Sequence, residues 1–279
     1  MGRSMIIVQL SDLHVRPPGV LAYGRVPTND MLRETIEHVN ALRPKPDVVL
    51  ATGDLVHAGD AEEYTMLRRL LAALEMPVYV VPGNHDDRRN LRKIFDDSEY
   101  LPADGEFLHY AIEDYPVRLI GLDTVVPGAA GGELCERRLA WLEETLEVAP
   151  DRPTVIFMHH PPFRTGIEHM DVIAIKDAGA AALGRLVERH PRIERILCGH
   201  VHRAIQVRWR GTLASTAPST AHQVVLDLRS GAAGTFAMEP PGYQLHTWSK
   251  DLGIVSHTAT IGRFDGPYLF PDDGTGGVG

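Results

Sequence analysis

Cysteine is almost absent. Cys135 and Cys198 are the only two in 279 residues, far apart and in unrelated contexts, so neither a disulfide framework nor a CxxC metal or redox pair can form. That scarcity fits a reducing compartment, and a cytoplasmic location is the expectation. Cys198 closes a largely apolar run and reads as a small buried side chain. Positive charge is also short: 28 Lys and Arg against 37 Asp and Glu leave a formal net charge of −9. A long nucleic acid is therefore an unsuitable partner, because binding one needs clustered cations to displace counterions. Long apolar runs are missing too. No stretch approaches the roughly 20 residues that span a bilayer, so no membrane partner is expected, and Met5–Leu10 is too short for the apolar part of a signal peptide.

A hydrophobic fraction of 44% and a charged fraction of 23% are ordinary for a soluble globular chain. The length suits one large α/β domain, or a domain with a small appendage. Apolar runs without alternation at Met5–Leu10, Val48–Thr52, Val78–Val81, Leu119–Leu122 and Thr154–Met158, and less cleanly at Ile193–Cys198, read as strands buried on both faces. Amphipathic stretches at Asn29–Leu42, Asp60–Leu74, Arg88–Phe95, Glu136–Glu147 and Lys176–His190 read as helices between them. Asp60 and Glu63 make a capping box. Strands separated by helices imply a parallel sheet, whose ligands gather where the loops leave the carboxyl ends of the strands.

Five motifs sit at such exits: Asp12-x-His14, Gly53-Asp54, Gly83-Asn84-His85-Asp86, His159-His160-Pro161-Pro162 and Gly199-His200-Val201-His202. Oxygen and imidazole donors in this mixture suit first-row metals. Two such ions about 3.5–4 Å apart clamp an in-line displacement at phosphorus, which points to hydrolysis of phosphate esters. Asp12 and His14 are expected on an extended segment, pointing the same way. Asp54 can bridge two metals through its carboxylate. Asn84 offers an amide oxygen. Its neighbour His85 is free to meet the phosphoryl group, as a proton donor to the leaving oxygen or as an electrostatic clamp. Asp86 either orients His85 or caps the next helix. Of the pair His159 and His160, successive side chains diverge, so one reaches the metals.

The order of these motifs resembles the calcineurin-like metallophosphoesterase superfamily across about residues 5–228. Leu21-Ala22-Tyr23-Gly24, His159-His160-Pro161-Pro162 and His222-Gln223-Val224 are similar to the branch that holds bacterial class III cyclic-nucleotide phosphodiesterases and glycerophosphodiesterases. The resemblance implies an α/β fold, a two-sheet αββα sandwich with a small β-rich C-terminal element. It implies two divalent or mixed-valence metal ions (Mn, Fe, Zn or Co). Asp12, His14 and His202 would hold one and Asn84, His159 and His200 the other, with Asp54 bridging. Attack of a metal-bridging hydroxide on a small phosphodiester, a cyclic nucleotide or a glycerophosphodiester, is the implied reaction. His85 would be the catalytic residue, and Asn84, His85 and His222 would touch substrate. Where relatives often carry an acidic or amide side chain, this chain has His57, next to the metals and not on them.

Rival readings are a phosphomonoesterase or nuclease of the same fold, or a non-catalytic scaffold; the acidic balance disfavours the nuclease, and the filled ligand positions disfavour the scaffold. Residues 1–229 are expected to form the catalytic domain. Residues 230–279 are expected to form a β-rich extension with a mobile tail, and to seat a homodimer or larger homo-oligomer. The β-rich segment after about residue 203 carries apolar candidates for the contact surface, Val207, Trp209, Phe236 and Trp248. A hairpin is expected to turn at Arg210-Gly211, and a strand to run over His222–Leu228.

Overall fold

The computed structural model describes residues 4–270; the tail from Asp272 onward, expected to be mobile, lies outside the described residues. Strand β1 (Met5–Leu10) leads through α1 (Thr28–Ala41) to β2 (Val48–Thr52), then through α2 (Ala61–Leu71) to β3 (Val78–Val81) and α3 (Arg88–Ile94). The second half runs β4 (Tyr110–Ile112), β5 (Arg118–Leu122), α4 (Glu136–Glu147), β6 (Thr154–Met158), α5 (Glu168–Asp171), α6 (Asp177–Arg189) and β7 (Ile193–Cys198). Then come β8 (Ile205–Trp209), β9 (Thr212–Thr216), β10 (Gln223–Val224), β11 (Phe236–Ala237), β12 (Gly242–Ser249) and β13 (Gly253–Thr260).

Two sheets result, in the orders β13-β12-β1-β2-β3 and β4-β5-β6-β7-β9-β8, with β10-β11 as a separate ribbon. In the first, β1, β2 and β3 are parallel; in the second, β5, β6, β7 and β9 are. Leu32, Ile36 and Val39 of α1 and Tyr64, Leu67 and Leu71 of α2 share one core with β1, β2 and the inward Leu119, Val155, Phe157 and Leu197 of the second sheet. The outward Ile120, Ile156, Ile196 and Cys198 are covered by Leu142 and Leu146 of α4 and Leu183 and Val187 of α6. Alternate residues along Leu119–Leu122, Val155–Met158 and Ile196–Cys198 thus enter different cores, which is why these stretches carry no charged side chain. The architecture is the expected αββα sandwich. Asp60 and Glu63 form the capping box of α2, and Arg210 and Gly211, both at positive φ, turn the β8–β9 hairpin.

The segment after residue 230 is β-rich, and its long hairpin is built into the first sheet. β12 pairs antiparallel with β1, Met5 opposite Trp248, and Tyr243 and Trp248 join the main core. Trp248 is therefore no contact surface. Val207 and Trp209 lie half-buried against the second core. The strand expected over His222–Leu228 shrinks to Gln223–Val224, because the backbone finds partners across it only as far as Val225.

Candidate metal centre

The five motif strands β1, β2, β3, β6 and β7 end at one edge of the sandwich, and the loops leaving them converge. Nε2 of His14 and of His202 lie 3.2 Å apart, with His202 Nε2 3.4 Å from Asp12 Oδ1 and His14 Nε2 3.8 Å from Asp54 Oδ2. On the other side of Asp54, Oδ1 lies 3.4 Å from His159 Nε2. That nitrogen is 3.1 Å from Asn84 Oδ1 and 3.2 Å from His200 Nδ1. One carboxylate therefore faces two donor groups, one oxygen to each.

Left-handed backbone produces this convergence. Asp12, His14, Asp54, His200 and His202 all have φ between 46° and 72°, a region that costs a non-glycine residue about 1–3 kcal/mol and clusters at functional sites. The extended conformation expected for Asp12-x-His14 is thus replaced by a kinked one, in which the chain runs on beside the segment leaving β2, the N–H groups of Asp12, His14 and Val15 donating to the carbonyls of Gly53, Asp54 and Leu55. The motif glycines make the close approaches possible. A Cβ on Gly53, itself at φ 85°, would stand 2.5 Å from His159 Nδ1, and one on Gly199 would stand 2.1 Å from Ser11 Oγ and 2.6 Å from the Thr52 carbonyl.

The imidazoles are oriented from behind. Nδ1–H of His159 donates to the Thr52 carbonyl at 2.8 Å and Nδ1–H of His202 to the His222 carbonyl at 2.9 Å, so each turns its Nε2 to the centre. His160 points away: Nε2–H donates to the Ala130 carbonyl, Nδ1 accepts from the Thr124 hydroxyl, and its ring backs that of His200 at 4.6 Å. The site attracts positive charge. Burial acts to lower His159, but the Asp54 and Asp12 carboxylates overcome it and hold the imidazole at about 9. Asp12 Oδ2 is buried without a hydrogen-bond partner. Facing imidazole nitrogens, an unsatisfied carboxylate oxygen and mixed N/O donors fit divalent cations, which would take the place of the protons.

His85 stands beside both donor groups. Its Nδ1–H donates to the His57 carbonyl at 2.6 Å and its backbone N–H to Asp54 Oδ1 at 2.9 Å. The His57 ring stacks on that of His85 at 5.3 Å, and its Nδ1 lies 3.4 Å from His14 Nδ1. Burial and the neighbouring His85 and Arg16 push His57 down to about 4. Asp86 neither orients His85 nor caps a helix; Asp87 caps α3. Instead Asp86 accepts from the N–H groups of Gly83, Leu55 and Val56 and from the Tyr64 hydroxyl, locking the Asp54 and Asn84 loops together.

A cavity of about 270 Å³ opens over this centre. His14, Asp54, Asn84, His85, His200, His202 and His222 line its floor, while Asp12 and His159 lie beneath, fully buried. Its wall adds Tyr23 and Val224, from two of the smaller motifs, and His169, Met170, Ile173 and Phe236, which no motif flagged. The model of calcineurin-like phosphoesterases matches residues 5–204, the span that carries all the strand-exit motifs. The chain belongs to the calcineurin-like phosphoesterase family. Among its relatives, a probable glycerophosphodiester phosphodiesterase of Arcobacter nitrofigilis is 43% identical over 266 residues, covering 95% of this chain and 97% of the relative. A probable cyclic nucleotide phosphodiesterase of Rhodopseudomonas palustris is 34% identical over 267 residues, 94% of each chain. A dimetal phosphatase from Danio rerio has the same fold, with a TM-score of 0.60 at 15% identity over 92% of this chain and 99% of that one.

In this calcineurin-like chain the Asn84 loop is also tied to the second sheet. Arg88 grips buried Asp123 through Nε and Nη2 at 2.5 and 2.8 Å, and the N–H groups of Leu108 and Val125 complete the carboxylate. Burial acts to raise Asp123, but the Arg88 guanidinium more than offsets it, leaving the carboxyl below its ordinary value. A depressed folded value contributes stability above the unfolded pKa of about 4, lost as pH falls through the folded one. Asp123→Asn is therefore expected to destabilise by on the order of 3 kcal/mol at pH 7, with the gap to wild type closing below pH 4. Urea denaturation at both pH values checks this; an equal gap at both would remove the ion pair from the explanation.

Proposed function

We propose that this chain hydrolyses small phosphodiesters, cyclic nucleotides or glycerophosphodiesters, at this cavity. The observation that carries the reading is the Asp54 carboxylate, whose two oxygens face two separate donor groups. Asp12, His14 and His202 would hold one divalent cation and Asn84, His159 and His200 the other, with Asp54 shared; Mn, Fe, Zn and Co all suit these donors. Such a pair supplies Lewis acidity to a phosphoryl group. The protein's own residues do the rest. The His57 carbonyl accepts from Nδ1–H of His85 and turns Nε2 to the substrate, where the imidazolium form would stabilise developing charge or hand its Nε2 proton to the leaving oxygen. His222 borders the cavity floor and orients His202 through its carbonyl. Buried carbonyls and Asp86 hold the donors in place without rearrangement.

Elemental analysis together with a kinetic panel tests this. Two metal ions per chain are expected, with kcat/KM higher for cyclic AMP or glycerophosphoethanolamine than for any phosphomonoester. A preference for monoesters would overturn the diesterase reading.

The division at residues 229 and 230 is a proposal of the same kind: the donors all precede it, and the C-terminal segment supplies Phe236 and the β12–β13 hairpin. We also propose at least a homodimer. The open edge of β13 and exposed Phe264, Tyr268, Leu269 and Phe270 support it, since long open edges and clustered apolar side chains are otherwise liabilities. Light scattering giving a monomer mass at micromolar concentration would count against it. A reducing, cytoplasmic setting remains our reading, supported by two unpaired cysteines; among the described residues no helix is long and apolar enough to cross a membrane.

A further inference from the structure

We infer that the cavity wall selects diesters whose second ester group carries no negative charge and presents a planar or apolar face, and that Phe236 and Ile173 make the selection. This rests on the phosphodiesterase reading and adds to it which diesters are preferred.

The wall is built, not incidental. Across the β10–β11 ribbon Phe236 pairs with Val224. The Phe236 ring lies 5.2 Å from that of Tyr23 and 5.0 Å from that of His222, distances at which aromatic rings attract. Behind it Ala22, Val26 and Ala221 form a small buried cluster. Ile173 belongs to a second cluster with Ile167, Met170 and Val201, against which Val224 also packs. Two satellite cores thus hold one apolar surface beside the phosphate-directed floor. Among the described residues no Lys or Arg lines the cavity; its one carboxylate, Asp54, belongs to the donor centre, and His169 is the titratable group on the wall side. An anionic second group placed against the ring faces loses hydration with no Lys or Arg to replace it, whereas a planar group gains contact with a preformed ring face.

The test uses metal-loaded enzyme and diesters that share p-nitrophenolate as leaving group and differ in the second group: methyl, phenyl, thymidine 5′ and carboxymethyl. The phenyl and thymidine esters are expected to exceed the methyl ester about tenfold in kcat/KM, and the anionic carboxymethyl ester not to exceed it. Phe236→Ala and Ile173→Ala should each shrink the phenyl-to-methyl ratio severalfold, and Phe236→Tyr, which keeps the ring, should preserve it. Phenyl phosphate should inhibit more tightly than methyl phosphate, and lose that advantage in the same variants. If Phe236→Ala does not fold, Ile173→Ala on its separate segment decides. Equal kcat/KM for all esters, the carboxymethyl ester in first place, or unchanged ratios in the variants would overturn the selectivity. Failure to hydrolyse any of the esters would overturn the diesterase reading itself.

Discussion

Asp54→Ala is expected to abolish the two-metal centre and turnover together. Its Oδ1 lies 3.4 Å from His159 Nε2 and its Oδ2 3.8 Å from His14 Nε2, so one truncation removes an anionic donor from both groups. It also deprives the His85 backbone N–H of its acceptor. Without the carboxylate, the imidazoles face one another with little negative charge to attract cations. Lewis acidity contributes several kcal/mol to phosphoryl transfer, so kcat/KM should fall by on the order of 10³-fold or more. Asp54→Asn keeps the shape and the bond to His85, and should fold normally while binding metal weakly. Elemental analysis alongside kinetics decides: an Asp54→Ala enzyme with two metals per chain and near-normal turnover would sink the bridging role.

His85→Ala separates binding from chemistry. Its imidazole is pinned by the His57 carbonyl through Nδ1, and its ring stands outside both donor groups. The variant should keep both metals while kcat falls about 10²–10⁴-fold, the range for a lost general acid. The loss should shrink for a nitrophenolate ester, whose leaving group departs without a proton. An equal loss for good and poor leaving groups makes His85 an electrostatic clamp, and a loss of metal makes it a ligand.

Some of these residues are legible in advance and others are not, and the difference lies in the reach of local pattern. Unbroken apolar runs in β1, β2, β3 and β6 can only be strands with both faces covered, and a polar motif at the end of each can only lie where such strands empty. That much is periodicity. The roles of Asp86 and His57 are not legible, because both act through contacts to residues distant in sequence. Asp86 reaches the amides of Leu55 and Val56 across two loops, and the important atom of His57 is a backbone carbonyl, which leaves no mark in its side chain. Strand β12 is masked in the sequence by polar Gln244 and His246, which are buried only because β1 and the second sheet enclose them.

The sequence by itself determined the fold class, the strand exits and the donor types, since each depends on residues within a few positions of one another and on side-chain chemistry that context does not alter. Tertiary structure alone decided the left-handed backbone that aims the donors, the two-faced setting of Asp54, and the apolar wall of Phe236, Ile173 and Tyr23. Those features depend on distances between segments as far apart as residues 12 and 202, set by how two sheets pack and by which loops they bring together.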